Sequence, residues 1–183
     1  MAVIETEFAP GLLQRVSAPF RKMQRTSLWR KGPLDRALED FLTSVTQPGD
    51  KVLQLGSDDG VAAAFLDRGA FLHLVAPAQS ADAVESICQL RGCSPARMRL
   101  FETMGGSAMA GTVDAVWLSK TPSLPVLAAH FRHAETRLKP GGKLFLGAIT
   151  SEHTRQFYKQ LRNSADWQPD ELIAGEVAVF RRH

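Results

Sequence analysis

The stretch Asp50 to Gly60, DKVLQLGSDDG, constrains the chain most. Lys51 to Leu55 is short, apolar and follows the turn-forming pair Pro48-Gly49, which predicts a buried strand. It runs directly into Gly56-Ser57-Asp58-Asp59-Gly60 and then into the helix-forming run Val61-Ala62-Ala63-Ala64-Phe65-Leu66. A strand, a glycine-containing turn and a helix in immediate succession open an α/β domain. In such a unit the helix N-terminus offers free N–H groups to a ligand.

The remainder alternates in the same way. Leu34, Ala37, Leu38, Phe41, Leu42 and Val45 follow helical spacing ahead of the first strand, and Pro33 suits the first helical position. The pattern predicts strands at Phe71–Val75, Met98–Phe101, Val113–Leu118 and Lys143–Ala148. Helices are predicted from a Ser80 cap to Leu90, from Pro125 to Leu138, and from a Thr150 or Ser151 cap to about Asn163. Thr103 to Gly111 is small and glycine-rich and reads as a loop on the ligand side. Glu171–Ala174 and Glu176–Arg181, around Gly175, read as a closing antiparallel pair. The expected architecture is a three-layer α/β sandwich: a sheet of seven strands, six parallel and one antiparallel, covered by helices on both faces.

At 183 residues the chain is long enough for one full core. Its 44% apolar and 22% charged content is that of an ordinary globular protein, and no stretch approaches 18 consecutive apolar residues. The first residues, MAVIETEFAP, carry early acids in place of a basic-then-apolar leader, so a cytoplasmic protein is expected. Cys88 and Cys93, the two cysteines, fit a reducing compartment better than a disulfide framework, and their spacing lacks a second ligand pair for metal.

Residues 1–32 are expected to form a basic amphipathic extension and 33–183 the α/β domain. Leu12, Leu13, Val16, Phe20 and Met23 follow helical spacing, with Pro19 dividing the run. Arg15, Arg21, Lys22, Arg25, Arg30 and Lys31 are basic, and no acid lies between Glu7 and Asp35. Such a segment suits a protein partner or an anionic membrane surface, which would make the protein peripheral there. A solvated helix packing back on its own domain accounts for the same pattern. Nucleic acid is not the expected partner, because Trp29, Tyr158 and Trp167 are too scattered for a base-stacking platform.

Two phrases carry a family resemblance. Gln54-Leu55-Gly56-Ser57-Asp58-Asp59-Gly60 is similar to the acid-x-Gly-x-Gly-x-Gly motif of the class I S-adenosylmethionine (SAM)-dependent methyltransferases. Thr136-Arg137-Leu138-Lys139-Pro140-Gly141-Gly142-Lys143-Leu144-Phe145-Leu146 resembles that family's helix, Leu-Lys-Pro-Gly-Gly, fifth-strand phrase. The resemblance runs from about Pro33 to the C-terminus and implies a SAM site made of Gln54, Gly56, Ser57, Asp58, Asp59, Gly60, Ala76 and Glu102. Three of these depart from the family: Gln54 replaces an acid, Asp58 the middle glycine, and Ala76 the acid that binds the ribose hydroxyls. The turn is also similar to the Gly-Gly-Gly-Asp-Gly loop of aminopropyltransferases, with Asp59 in the matching place. That family needs an acid after its fourth strand, where Ser119 stands. Ser119-Lys120-Thr121-Pro122 also replaces the phrase used for amino-methylation of bases.

Other candidates have ordinary structural readings. Val126, His130, Ala134 and Leu138 share one stripe, which places His130 against the core and not in a metal pair with His133. His153 follows the fifth strand, where either a general base or a surface histidine fits. Asp58 and Asp59 complement a helix dipole. No metal and no nucleophile elbow are expected. The expected function is a methyltransferase-fold protein whose SAM binding is weakened or lost and which serves as a non-catalytic binding or assembly module. The alternative is an active methyltransferase acting on a small molecule.

Overall fold

The computed structural model describes residues 37, 40–42, 44–107, 112–119, 123–173 and 175–183. The chain divides into two compact units, Met1–Gly32 and Pro33–His183, and every described residue belongs to the second. The basic segment 9–31, Leu34, Leu38 and residues 108–111 lie outside the described residues.

Seven strands form one sheet: β1 (Lys51–Leu55), β2 (Phe71–Val75), β3 (Met98–Phe101), β4 (Val113–Leu118), β5 (Leu138–Leu146), β6 (Trp167–Ile173) and β7 (Val177–Arg182). Their spatial order is β3-β2-β1-β4-β5-β7-β6. β1 to β5 pair in parallel. β7 pairs antiparallel to both β5 and β6, so it alone is reversed. This is the expected sheet, six strands one way and one the other. Val52 to Leu55 of β1 are all buried, as a central parallel strand requires when helices cover both faces.

The helices are α1 (Asp59–Asp67), α2 (Ala78–Arg91), the single turn α3 (Met104–Ser107), α4 (Leu124–Arg137) and α5 (Glu152–Arg162). Helical residues among 37–45 precede β1. Strand alternation splits the core in two. Val52, Leu72, Leu74, Trp117 and Phe145 pack with Leu42, α1 and α2. Leu53, Leu55, Val116, Leu118 and Leu144 pack with α4 and α5. Val61 to Leu66 of α1 are buried without a break, and the three alanines let that helix lie close on the sheet.

Several boundaries differ from expectation. β5 begins at Leu138, because Leu138 already pairs with Val113 before the register resumes at Lys143↔Ala115. The intervening Lys-Pro-Gly-Gly is an irregularity inside the strand, with Gly141 at φ 74°. β6 begins at Trp167; its five central residues are exposed, so it carries no alternation to read. α2 starts at Ala78 behind Pro77, and Ser80 lies inside it. Part of the predicted ligand-side loop is the turn of helix α3. The buried stripe of α4 is Leu127, Phe131 and Ala134, leaving Val126 and His130 half-buried.

Candidate functional site

Because β1 to β5 run parallel, their C-terminal ends gather on one edge. From β1 the chain proceeds to β2 and β3 on one side, while β4 and β5 lie on the other. The crevice outside the ends of β1 and β4 is therefore the topological switch point, where open α/β sheets bind ligands. Backbone hydrogen bonds extend the ladder one residue past the strands: Gly56 N–H donates to Val75, Ser119 N–H to Leu55 and Gly147 N–H to Leu118.

Gly56 sits at φ +98°, and a Cβ there would meet the Ser119 Cβ at 3.0 Å. Both its conformation and its close approach to β4 demand glycine. Gly60 differs: it lies in the first turn of α1, and nothing would lie within 4 Å of an added Cβ. The backbone has no need of a glycine at position 60.

Gln54 is fully buried beneath the turn. Its Nε2 donates to the Gly56 carbonyl at 3.3 Å and to the Asp58 carbonyl at 3.0 Å. A carboxylate at this position could donate neither bond. Gln54 Oε1 is buried without a partner, and so are Ser119 Oγ and the indole Nε1 of Trp117. Gln54 and Trp117 are register partners on adjacent strands, and Ser119 follows two residues on, so all three share one face of the sheet.

Asp58 and Asp59 lie at the N-terminus of α1. Burial pushes the Asp59 carboxyl above the ordinary carboxylate range, and a hydrogen bond with Ser80 opposes that shift. The Ser57 and Ser80 hydroxyls are hydrogen-bonded at 3.0 Å, tying the turn to α2. Ala76 is buried at the end of β2, next to Val75, whose carbonyl Gly56 engages. Ala76 offers no side-chain acceptor. Glu102 follows β3, one strand further out, and is exposed. The fold thus brings Gln54 through Gly60 and Ala76 together and leaves Glu102 at the margin. Ser119 and Ser80 flank the turn, Ser119 against Gly56 and Ser80 bonded to Ser57; the sequence marked Ser119 only as the position of a missing acid and Ser80 only as a helix cap. The available signal was position alone: Ser119 follows the strand that flanks the switch point.

His133 pairs with a serine outside the switch point. His133 Nε2 lies 2.7 Å from Ser107 Oγ, but that hydroxyl donates its proton to the Met104 carbonyl at 2.7 Å. The tautomer of the imidazole sets which of the two groups donates in this pair. Among the described residues, no group of three or more His, Cys, Asp or Glu is placed to hold a metal ion. Nor is any helix among them long and apolar enough to cross a membrane.

No protein-family model matches the sequence, and no curated protein matches it. Solved structures match the fold. A methyltransferase from Geobacter sulfurreducens has a TM-score of 0.64 at 14% identity, covering 94% of this chain and 93% of its own. An O-methyltransferase from Bacillus cereus, solved in complex with SAH, has a TM-score of 0.61 at 12% identity over 90% and 88%. Precorrin 8W decarboxylase from Methanobacterium thermoautotrophicum has a TM-score of 0.61 at 15% identity over 84% and 92%. The described domain has the class I SAM-dependent methyltransferase fold.

Proposed function

We propose that this protein is a methyltransferase-fold binding or assembly module whose SAM site is degenerate. The observation that carries the reading is Gln54. Its amide donates to the Gly56 and Asp58 carbonyls, so the side chain at the position of an acidic acceptor is committed to bonds inside the turn. The same substitution removes an acidic acceptor, and Ala76 removes a second. Hydrogen bonds to charged groups contribute roughly 1.5–3 kcal/mol each. Two lost bonds therefore weaken binding by about 3–6 kcal/mol, or 10²- to 10⁴-fold. Asp58 adds a negative charge where the resemblance puts the cofactor's carboxylate; at about 4 Å that repulsion is roughly 1–4 kcal/mol. The assembly role falls to segment 9–31, which holds six basic residues and no acid. A protein partner or an anionic membrane surface complements it.

A second reading, an active methyltransferase for a small molecule, is favoured by the unpartnered Gln54 Oε1 and Ser119 Oγ at the crevice. Buried polar atoms of this kind are normally hydrogen-bonded. Thermal unfolding with SAM, SAH or neither separates the two. The module reading expects no change in Tm at millimolar ligand. A rise that saturates at micromolar SAM or SAH would replace it with the enzyme reading.

A further inference from the structure

Helix α2 ends at Arg91, and Gly92 follows at φ 75° in the left-handed conformation. The Cys93 N–H then donates to the Cys88 carbonyl at 3.0 Å. This six-to-one closure across a left-handed glycine is the Schellman motif. A side-chain contact between its two end residues frequently accompanies it. Here those end residues are the two cysteines of the chain. Both face α1: Cys88 is buried in the α1–α2 core, and Cys93 packs against that core with Sγ 4.0 Å from the Ala63 carbonyl. Cys88 has no solvent exposure, whereas Cys93 is partly exposed.

We infer that Cys88 and Cys93 form a reversible intramolecular disulfide that staples the C-terminal end of α2. The 3.0 Å hydrogen bond from the Cys93 N–H to the Cys88 carbonyl closes the chain between the two residues, and a disulfide bridges Cα atoms roughly 4.4–6.8 Å apart. With a hydroperoxide as oxidant, the partly exposed Cys93 sulfur attacks the peroxide O–O bond. It becomes a sulfenic acid, and the peroxide is reduced to alcohol or water. The Cys88 sulfur then attacks the Cys93 sulfur. The S–S bond forms, the S–O bond breaks, and hydroxide leaves with the Cys88 proton as water. Burial, and then the neighbouring Cys93, push the Cys88 thiol up to about 12. Cys88 is fully buried, so closure depends on its contact with Cys93. Reduced thiols at rest, closed on oxidation, match the transient disulfides of reducing compartments.

The test uses the full chain treated with stoichiometric hydrogen peroxide, then unfolded and alkylated with N-ethylmaleimide for intact-mass measurement. Reduced protein takes two adducts. The inference expects a species lighter by two hydrogens that takes none, restored to two adducts by dithiothreitol. Cys88→Ser and Cys93→Ser must each abolish that species. Closing so short a loop raises Tm by roughly 4 °C, a rise that dithiothreitol reverses. Two adducts after peroxide, a sulfinic or sulfonic acid at Cys93, a disulfide-linked dimer, or an unchanged or lowered Tm on closure would each overturn it.

Discussion

Replacing Gly56 by alanine tests the turn most sharply. The native φ of +98° disfavours any residue with a Cβ, at about 1–2 kcal/mol. The added methyl would also stand 3.0 Å from the Ser119 Cβ, which the backbone anchors directly after β4 and which cannot swing aside. Overpacking of that kind costs roughly 1–3 kcal/mol. Together the variant loses about 2–5 kcal/mol, a large share of a typical 5–15 kcal/mol. Its Tm falls on the order of 10 °C. Gly60→Ala is the internal control. Its Cβ meets open space in a helical first turn, so it is neutral or gains up to about 1 kcal/mol. Urea unfolding of both variants gives the free energies, and Gly56→Ala combined with Ser119→Gly should recover the steric part but not the φ part. A Gly56→Ala loss below about 0.5 kcal/mol, or a Gly60→Ala loss equal to it, would refute the reasoning.

Three further outcomes are expected. Gln54→Glu removes both amide donors and sets a carboxylate against two carbonyl oxygens, so it destabilises by at least about 2 kcal/mol in the same urea assay; an unchanged midpoint would show that the turn does not depend on Gln54. His73, His130 and His133 all have pKa values lowered from 6.5, first by burial and then by neighbouring Arg99 and Lys51, His133, and Arg137 respectively. Unfolding therefore binds protons, and stability held above pH 6.5 declines as pH falls below it; a Tm that is flat or rising from pH 7 to pH 5, once carboxylate titration is subtracted using the three His→Gln variants, would contradict this. Reversing Arg21, Lys22 and Arg25 to Glu should abolish pull-down of a protein partner or co-sedimentation with anionic vesicles in moderate salt, since each basic residue near an anionic surface contributes about 1 kcal/mol; unchanged binding would leave the segment a solvated face.

Most of the sheet was legible because β1, β2 and β4 are largely buried and the edge strand β3, though only half-buried, is a short apolar run. β1, β2, β3 and β4 begin and end where their apolar runs do. β5 hid its start because Pro140-Gly141-Gly142 reads as a turn, although Leu138 is already paired with Val113. β6 hid because an edge strand with five exposed residues needs no apolar alternation. At the site, the composition of the turn was readable but not its wiring. That Gln54 donates inward, and that Gly56 abuts Ser119 across 63 residues of sequence, are tertiary facts. The Cys88–Cys93 contact could have been read, since Cys-x3-Gly-Cys at a helix end is the Schellman spacing.

The central claim is that the switch-point crevice has lost SAM affinity through named residues on a sound scaffold. Calorimetric titration of SAM into the wild-type protein and into the variant Asp58→Gly/Ala76→Asp, with Gln54 kept as the internal donor, tests it directly. We expect little or no saturable heat from the wild type. The variant should gain at least about tenfold, or 1.4 kcal/mol, with Ala76→Asp alone giving part of the gain. Tight binding by the wild type, with Ala76→Asp neutral or harmful, would contradict the account.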